Sequence, residues 1–193
     1  GVIETTGLKL PYEFEQMLPD PDAHYISHHF LDVAALRPKV SIPHSPANVT
    51  DIDEVLGTKI DLVFLGTCTN GRLEDLHTAA LILNGKKLAP GVRMIVTPAS
   101  RQVLNVAMAD GTLNILSDAG ATFIPPGCGP CVGTHLGVPG DSETILSTAN
   151  RNFPGRMGNR NARVFLSSPA TVAASALQGE ITDPADVIEG AVL

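Results

Sequence analysis

Tryptophan is absent from this 193-residue chain, tyrosine occurs only twice, and cysteine three times. No apolar run approaches the roughly 20 residues of a membrane-spanning helix, and Gly1-Val2-Ile3-Glu4 lacks the basic-then-apolar pattern of a signal peptide. A soluble, cytoplasmic protein with no membrane partner is therefore expected. The initiator methionine is also missing, so the chain reads as starting partway along something longer. Positive charge is scarce: 13 Lys and Arg stand against 20 Asp and Glu, a net charge of −7 that repels a polyanion and argues against a nucleic-acid partner. An anionic metabolite can still bind where a few arginines gather, because local forks outweigh net charge. No sustained repeat or low-complexity segment occurs. Apolar residues make up 44% and charged residues 17%, a globular balance at a length that buries a core without staples.

An odd cysteine number fits a disulfide framework poorly and leaves metal binding, catalysis or inert burial. Where the thiols fall in the fold must decide between them. Residues 1–58, with Pro19-Asp20-Pro21 and Ile42-Pro43-His44-Ser45-Pro46, predict an irregular lead-in continuing from a missing N-terminal part. Residues 59–193 predict an α/β domain. Leu62-Val63-Phe64-Leu65 is a short apolar run of the kind a buried parallel strand has. Leu73, Leu76, Ala79, Ala80 and Leu83 then recur at helical spacing, and Asn84-Gly85 is a stop signal. Strand 92–96 with helix 101–109, a shorter helix over 113–119, strand 121–124, strands 145–148 and 164–166, and a closing helix 169–177 with Pro at its first turn extend the alternation. The prediction is a three-layer, mostly parallel open sheet with helices on both faces.

In such sheets ligands gather beyond the carboxyl ends of strands. Cys68 lies just past one predicted strand, and Cys128-Gly129-Pro130-Cys131 just past another. A C-x-x-C alone suits a redox pair, a zinc site, an iron–sulfur site or a structural turn. The third thiol favours a metal: a redox dithiol does not need it, and an electron-transfer cluster takes four cysteines. Three thiolates suit a four-iron, four-sulfur cluster with one iron left open as a Lewis acid. The rivals are a structural Cys3His zinc domain using His135, and a metal-free interaction module without catalysis.

Asn150-Arg151-Asn152-Phe153-Pro154-Gly155-Arg156 follows another predicted strand. Guanidinium forks at Arg151 and Arg156 can hold a di- or tricarboxylate, while Asn150 and Asn70 can donate to cluster sulfur from a second layer. His24, His28 and His29 fit no ligand spacing and are expected to be solvated or satisfied in a core. Glu74 and Asp75 open a predicted helix, where carboxylates favour the positive dipole end, and are not read as catalytic.

The stretches Phe64 to Leu76, Pro126 to Cys131 and Asn150 to Gly158, in that order, resemble the signature blocks of the aconitase superfamily. Within it they are most similar to the large subunits of the 3-isopropylmalate dehydratase and homoaconitase group. The resemblance runs from about Arg37 to the C-terminus and takes in Ser167 to Ala174 and Ile181 to Pro184. It implies that Cys68, Cys128 and Cys131 ligate a 4Fe-4S cluster, that Asn150 contacts it, and that Arg151 and Arg156 bind substrate carboxylates. The implied reaction is dehydration and rehydration of a hydroxy di- or tricarboxylic acid, as in leucine biosynthesis for the isopropylmalate case. The family's large subunits are about twice as long, and a separate small, swivelling subunit supplies the base. No catalytic residue is identified in this chain, which is expected to be inactive alone.

Overall fold

A computed structural model describes residues 19–188, which fall into two compact units divided between Leu36 and Arg37. In the first unit, residues 19–36 hold one 3-10 turn, Val33–Ala35. Its histidines are exposed: His28 meets Tyr25 edge to face, and His29 Nε2 shares a 2.8 Å hydrogen bond with Ser27 Oγ.

The second unit is built on a seven-stranded sheet, whose strands are β1 (Lys39–Ser41), β2 (Val49–Asp51), β3 (Leu62–Gly66), β4 (Arg93–Thr97), β5 (Thr122–Phe123), β6 (Thr144–Ser147) and β7 (Arg163–Leu166). Their order is β2-β1-β7-β6-β3-β4-β5. Strands β3 to β7 are mutually parallel, and β1 and β2 add an antiparallel edge. Residues 37–58, assigned by sequence to the lead-in, thus supply two strands of this unit.

Among the described residues five α-helices complete it: α1 (Thr67–Asn70), α2 (Leu73–Leu83), α3 (Arg101–Ala109), α4 (Thr112–Ala119) and α5 (Pro169–Gln178). None of the helices among the described residues is long and apolar enough to cross a membrane. Ser168 caps α5 by accepting from Thr171 N at 3.2 Å, ahead of Pro169, whose missing N–H costs nothing there. Asp75 opens α2 by accepting from Arg72 N at 3.0 Å, the structural role expected of it.

Strand alternation sorts the core into two layers. Val63, Leu65, Met94, Val96, Leu146 and Phe165 face α2, α4 and α5 through Leu76, Leu83, Leu116 and Val172. Leu62, Phe64, Ile95, Ile145 and Val164 face the other way, against Ile124, Cys131, Ala149, Met157 and Ala162. The mostly parallel α/β sheet is as predicted, but its two faces are covered differently. On the second face the cover comes from loops and one 3-10 turn, Gly129–Val132. The Gly- and Pro-rich composition of 125–158 keeps that layer from forming longer helices.

Polar networks centred on Arg37 and on Asp110 join distant segments of the unit. Arg37 forks onto Asp53 at 3.1 and 2.9 Å and reaches Asp183 at 2.7 Å, tying the unit's start to its C-terminal turn. Asp110, between α3 and α4, accepts from Thr112 N at 2.9 Å and Thr112 Oγ1 at 2.6 Å and meets His77 of α2 at 2.8 Å. These bonds, the Thr112 hydroxyl first, hold the Asp110 carboxyl at about 2, below the ordinary 3.8. A lowered carboxyl contributes stability above its unfolded value and loses it as pH falls through the folded one. The wild-type denaturation midpoint is therefore expected to fall more between pH of about 4 and 2 than that of Asp110→Asn. Parallel profiles for the two proteins would contradict this.

Candidate metal and substrate site

The chain leaves β3 for β4 and β5 on one side, then returns to place β6 and β7 on the other. The switch point lies between β3 and β6, and their carboxyl ends open the crevice where such sheets bind ligands. Hydrogen bonds hold the two loops together there. Thr148 N donates to Phe64 O at 2.9 Å, Gly66 N donates to Thr148 Oγ1 at 2.8 Å, and Asn70 Nδ2 donates to Thr148 O at 2.7 Å.

The first loop carries Cys68 on α1, a single turn entered through an unusual backbone. Gly66 has φ 128°, and a Cβ there would sit 2.0 Å from Thr97 O. Thr67 follows with φ 74°, a buried β-branched residue in the left-handed region, which costs about 1–3 kcal/mol. Ala99 N donates to Gly71 O at 2.7 Å and closes the loop. The outcome is an exposed Cys68 at the carboxyl edge of β3.

The second cysteine loop leaves β5 through Ile124. Cys131 N donates to Cys128 O at 2.9 Å across the 3-10 turn. Cys128 is exposed and Cys131 is buried beside Ile124 and Met157. Gly133, with φ 70°, ends the turn, and a Cβ on it would meet Gly158 N at 2.1 Å. That backbone crossing presses the cysteine loop against the 150–158 loop.

The third loop, after β6, is anchored by Asn152, whose Nδ2 donates to Ile42 O and Val164 O, both at 3.0 Å. Asn150 and Arg151 stay exposed beside the crevice. Arg156 turns inward: its Nη2 donates to Cys131 Sγ at 3.6 Å, and its guanidinium carbon lies 5.8 Å from the centre of the Phe153 ring.

All three cysteines thus lie on the carboxyl edge of the parallel strands, and one predicted arginine touches a predicted ligand. The three thiols do not converge, however: among the described residues no group of three or more His, Cys, Asp or Glu side chains is arranged to hold a metal ion. The reason is orientation, since Cys131 points into the core toward Arg156 while Cys68 and Cys128 face solvent. His135, the candidate fourth zinc ligand, is exposed. The amide nitrogen of Asn70 has one proton committed to Thr148 O.

Several polar atoms in this region are buried, which little in the sequence pattern marks. Among the described residues, Thr97 Oγ1, Asn152 Oδ1, Arg156 Nε and Ser167 Oγ are buried without a hydrogen-bond partner. Thr97 ends β4, Ser167 follows β7, Arg156 lies against Cys131, and Asn152 sits over β7 through Val164 O. An unsatisfied buried polar group costs about 1–3 kcal/mol, so Thr97 Oγ1 at the end of β4 and Arg156 Nε beside Cys131 fit a polar group received there. By donor chemistry, cysteine thiolates with a guanidinium against one of them suit an anionic iron–sulfur cluster better than a hard cation. The one sequence signal was a polar residue ending an otherwise apolar strand, as Thr97 does.

A model of the aconitase family (aconitate hydratase) matches residues 53–179. The 3-isopropylmalate dehydratase large subunit 1 of Methanopyrus kandleri is 55% identical over 166 residues, 86% of this chain and 40% of that protein. The 3-isopropylmalate dehydratase large subunit 2 of Archaeoglobus fulgidus is 51% identical over 176 residues, 91% of this chain and 42% of that protein. The homoaconitase large subunit of Thermus thermophilus is 51% identical over 173 residues, 90% of this chain and 41% of that protein. The chain therefore spans about two-fifths of the length of these relatives.

Proposed function

The chain belongs to the aconitase family, and from that premise we propose that it is the cluster-binding part of an iron–sulfur hydro-lyase. The reaction is isomerisation of a hydroxy di- or tricarboxylic acid by dehydration and rehydration, of the 3-isopropylmalate dehydratase or homoaconitase type. The observation that carries this is the edge itself: Cys68 beyond β3 and Cys128 and Cys131 beyond β5, beside the switch point, with Arg156 against Cys131. Cys68, Cys128 and Cys131 would hold a 4Fe-4S cluster. When bound, the cluster would supply Lewis-acid chemistry toward a substrate hydroxyl.

The chain's own side chains set the surroundings. Arg151, exposed at the crevice, and Arg156, braced on Phe153, bind substrate carboxylates through paired N–H donors. Asn150 and the second amide proton of Asn70 would donate to cluster sulfur. Removal of a carbon-bound proton needs a positioned base, and the matched stretches offer none. That step falls to the rest of the large subunit and to a small subunit, in keeping with relatives named as large subunits. The test is the complete large subunit with its small subunit, assayed on citrate, homocitrate, isopropylmalate and related malates. Turnover of at least one is expected; an iron-loaded enzyme inert toward all of them would contradict the proposal.

A further inference from the structure

Thr97 is the residue of this edge whose environment is hardest to explain by folding alone. It ends β4, between the strands that lead to the two cysteine loops. Gly66 of β3 pairs with it on one side, two residues before Cys68. On the other side, the β4–β5 register pairs Val96 with Phe123, which sets Thr97 level with Ile124 at the root of the Cys128 loop. Alternation along β4 puts its side chain on the face of Ile95, the layer that contains Phe64, Ile124 and Cys131. The residue is fully buried, and its hydroxyl has no partner among the described residues. Valine has the same shape, suits a buried strand and leaves no polar atom unpaired. The hydroxyl is therefore an extra feature that the sheet does not use.

The geometry points to Thr97 as a positioning residue for the cluster, its hydroxyl donating a hydrogen bond to a sulfur, either a cysteine thiolate or a cluster sulfide. The inference rests on the cluster reading given above. A hydroxyl donor to sulfur spreads the negative charge of the cluster, which strengthens its retention and raises its reduction potential. Arg156 approaches Cys131 from the neighbouring loop with a cationic donor, whereas Thr97 would contribute a neutral donor from the end of β4.

The test uses the 193-residue chain as wild type, Thr97→Val and Thr97→Ser, each reconstituted anaerobically with iron and sulfide. In the metal-free state, Thr97→Val is expected to unfold at or above the wild-type midpoint. In the loaded state its visible absorbance should be lost to a chelator about tenfold faster than wild type, and its reduction potential should shift negative. Thr97→Ser, which keeps the hydroxyl, should restore both readings. Wild-type retention and potential in Thr97→Val would overturn the inference. A metal-free Thr97→Val chain that fails to fold would overturn it too, since the hydroxyl would then serve the fold. If wild type takes up no cluster, the reading beneath fails first, and that arm alone shows it.

Discussion

A Gly66→Ala protein is expected to lose about 4 kcal/mol of stability, a large part of what a domain possesses. An added Cβ would lie 2.0 Å from the carbonyl oxygen and 2.8 Å from the carbonyl carbon of Thr97. Neither atom can step aside, because the β3–β4 ladder pairs Gly66 directly with Thr97. Gly66 is held from the other side as well, where Thr148 Oγ1 accepts its N–H at 2.8 Å. Its φ of 128° adds strain for any residue with a side chain. Gly57 provides the control: it also has positive φ, at 75°, but a Cβ there meets nothing within 4 Å. Gly57→Ala should cost only the backbone strain, about 1 kcal/mol. Denaturant unfolding of both variants separates the two effects. Equal losses would mean that the approach of β3 to β4 at the cysteine loop is not as tight as described.

The second large effect concerns Arg156. In the assembled enzyme, Arg156→Lys is expected to lower kcat/KM at least tenfold, about 1.4 kcal/mol of transition-state binding. Lysine keeps the charge but offers a point donor in place of a planar fork. Here the fork faces two tasks, since Nη2 already donates to Cys131 Sγ at 3.6 Å while Nε is buried without a partner. The face of Phe153, 5.8 Å away, favours the flat guanidinium over an ammonium. Arg151→Lys, at an exposed position, should affect substrate binding without disturbing Cys131. Near-normal kinetics in both variants would remove the carboxylate-binding role.

Much of this edge was legible because parallel strands buried on both faces leave a strong mark. Leu62-Val63-Phe64-Leu65 is buried throughout, and the cysteines could be placed by what they follow. Strands β1 and β2 left no such mark. Each has three residues, and they flank Pro43 and Pro46, so no alternation can show; pairing with β7 gives β1 its place. The layer over the second face was equally silent. Its apolar contacts come singly from Ile124, Cys131, Met157 and Ala162, held by loop crossings such as Gly133 against Gly158 rather than by a periodic helix. Within the site, spacing placed the thiols at one edge but could not give their directions. The inward turn of Cys131 toward Arg156 depends on two loops meeting 25 residues apart in sequence. Thr97 and Asn152 were hidden for a similar reason, as a buried polar side chain looks like any other until its neighbours are known.

The cluster itself is tested most directly by counting iron and acid-labile sulfide in the anaerobically reconstituted chain, beside Cys68→Ser, Cys128→Ser and Cys131→Ser. The account predicts a brown protein absorbing at roughly 400 nm with close to four iron and four sulfide per wild-type chain, and loss of that load in each variant. A colourless protein holding one zinc, or a variant that keeps the full iron load, would contradict it.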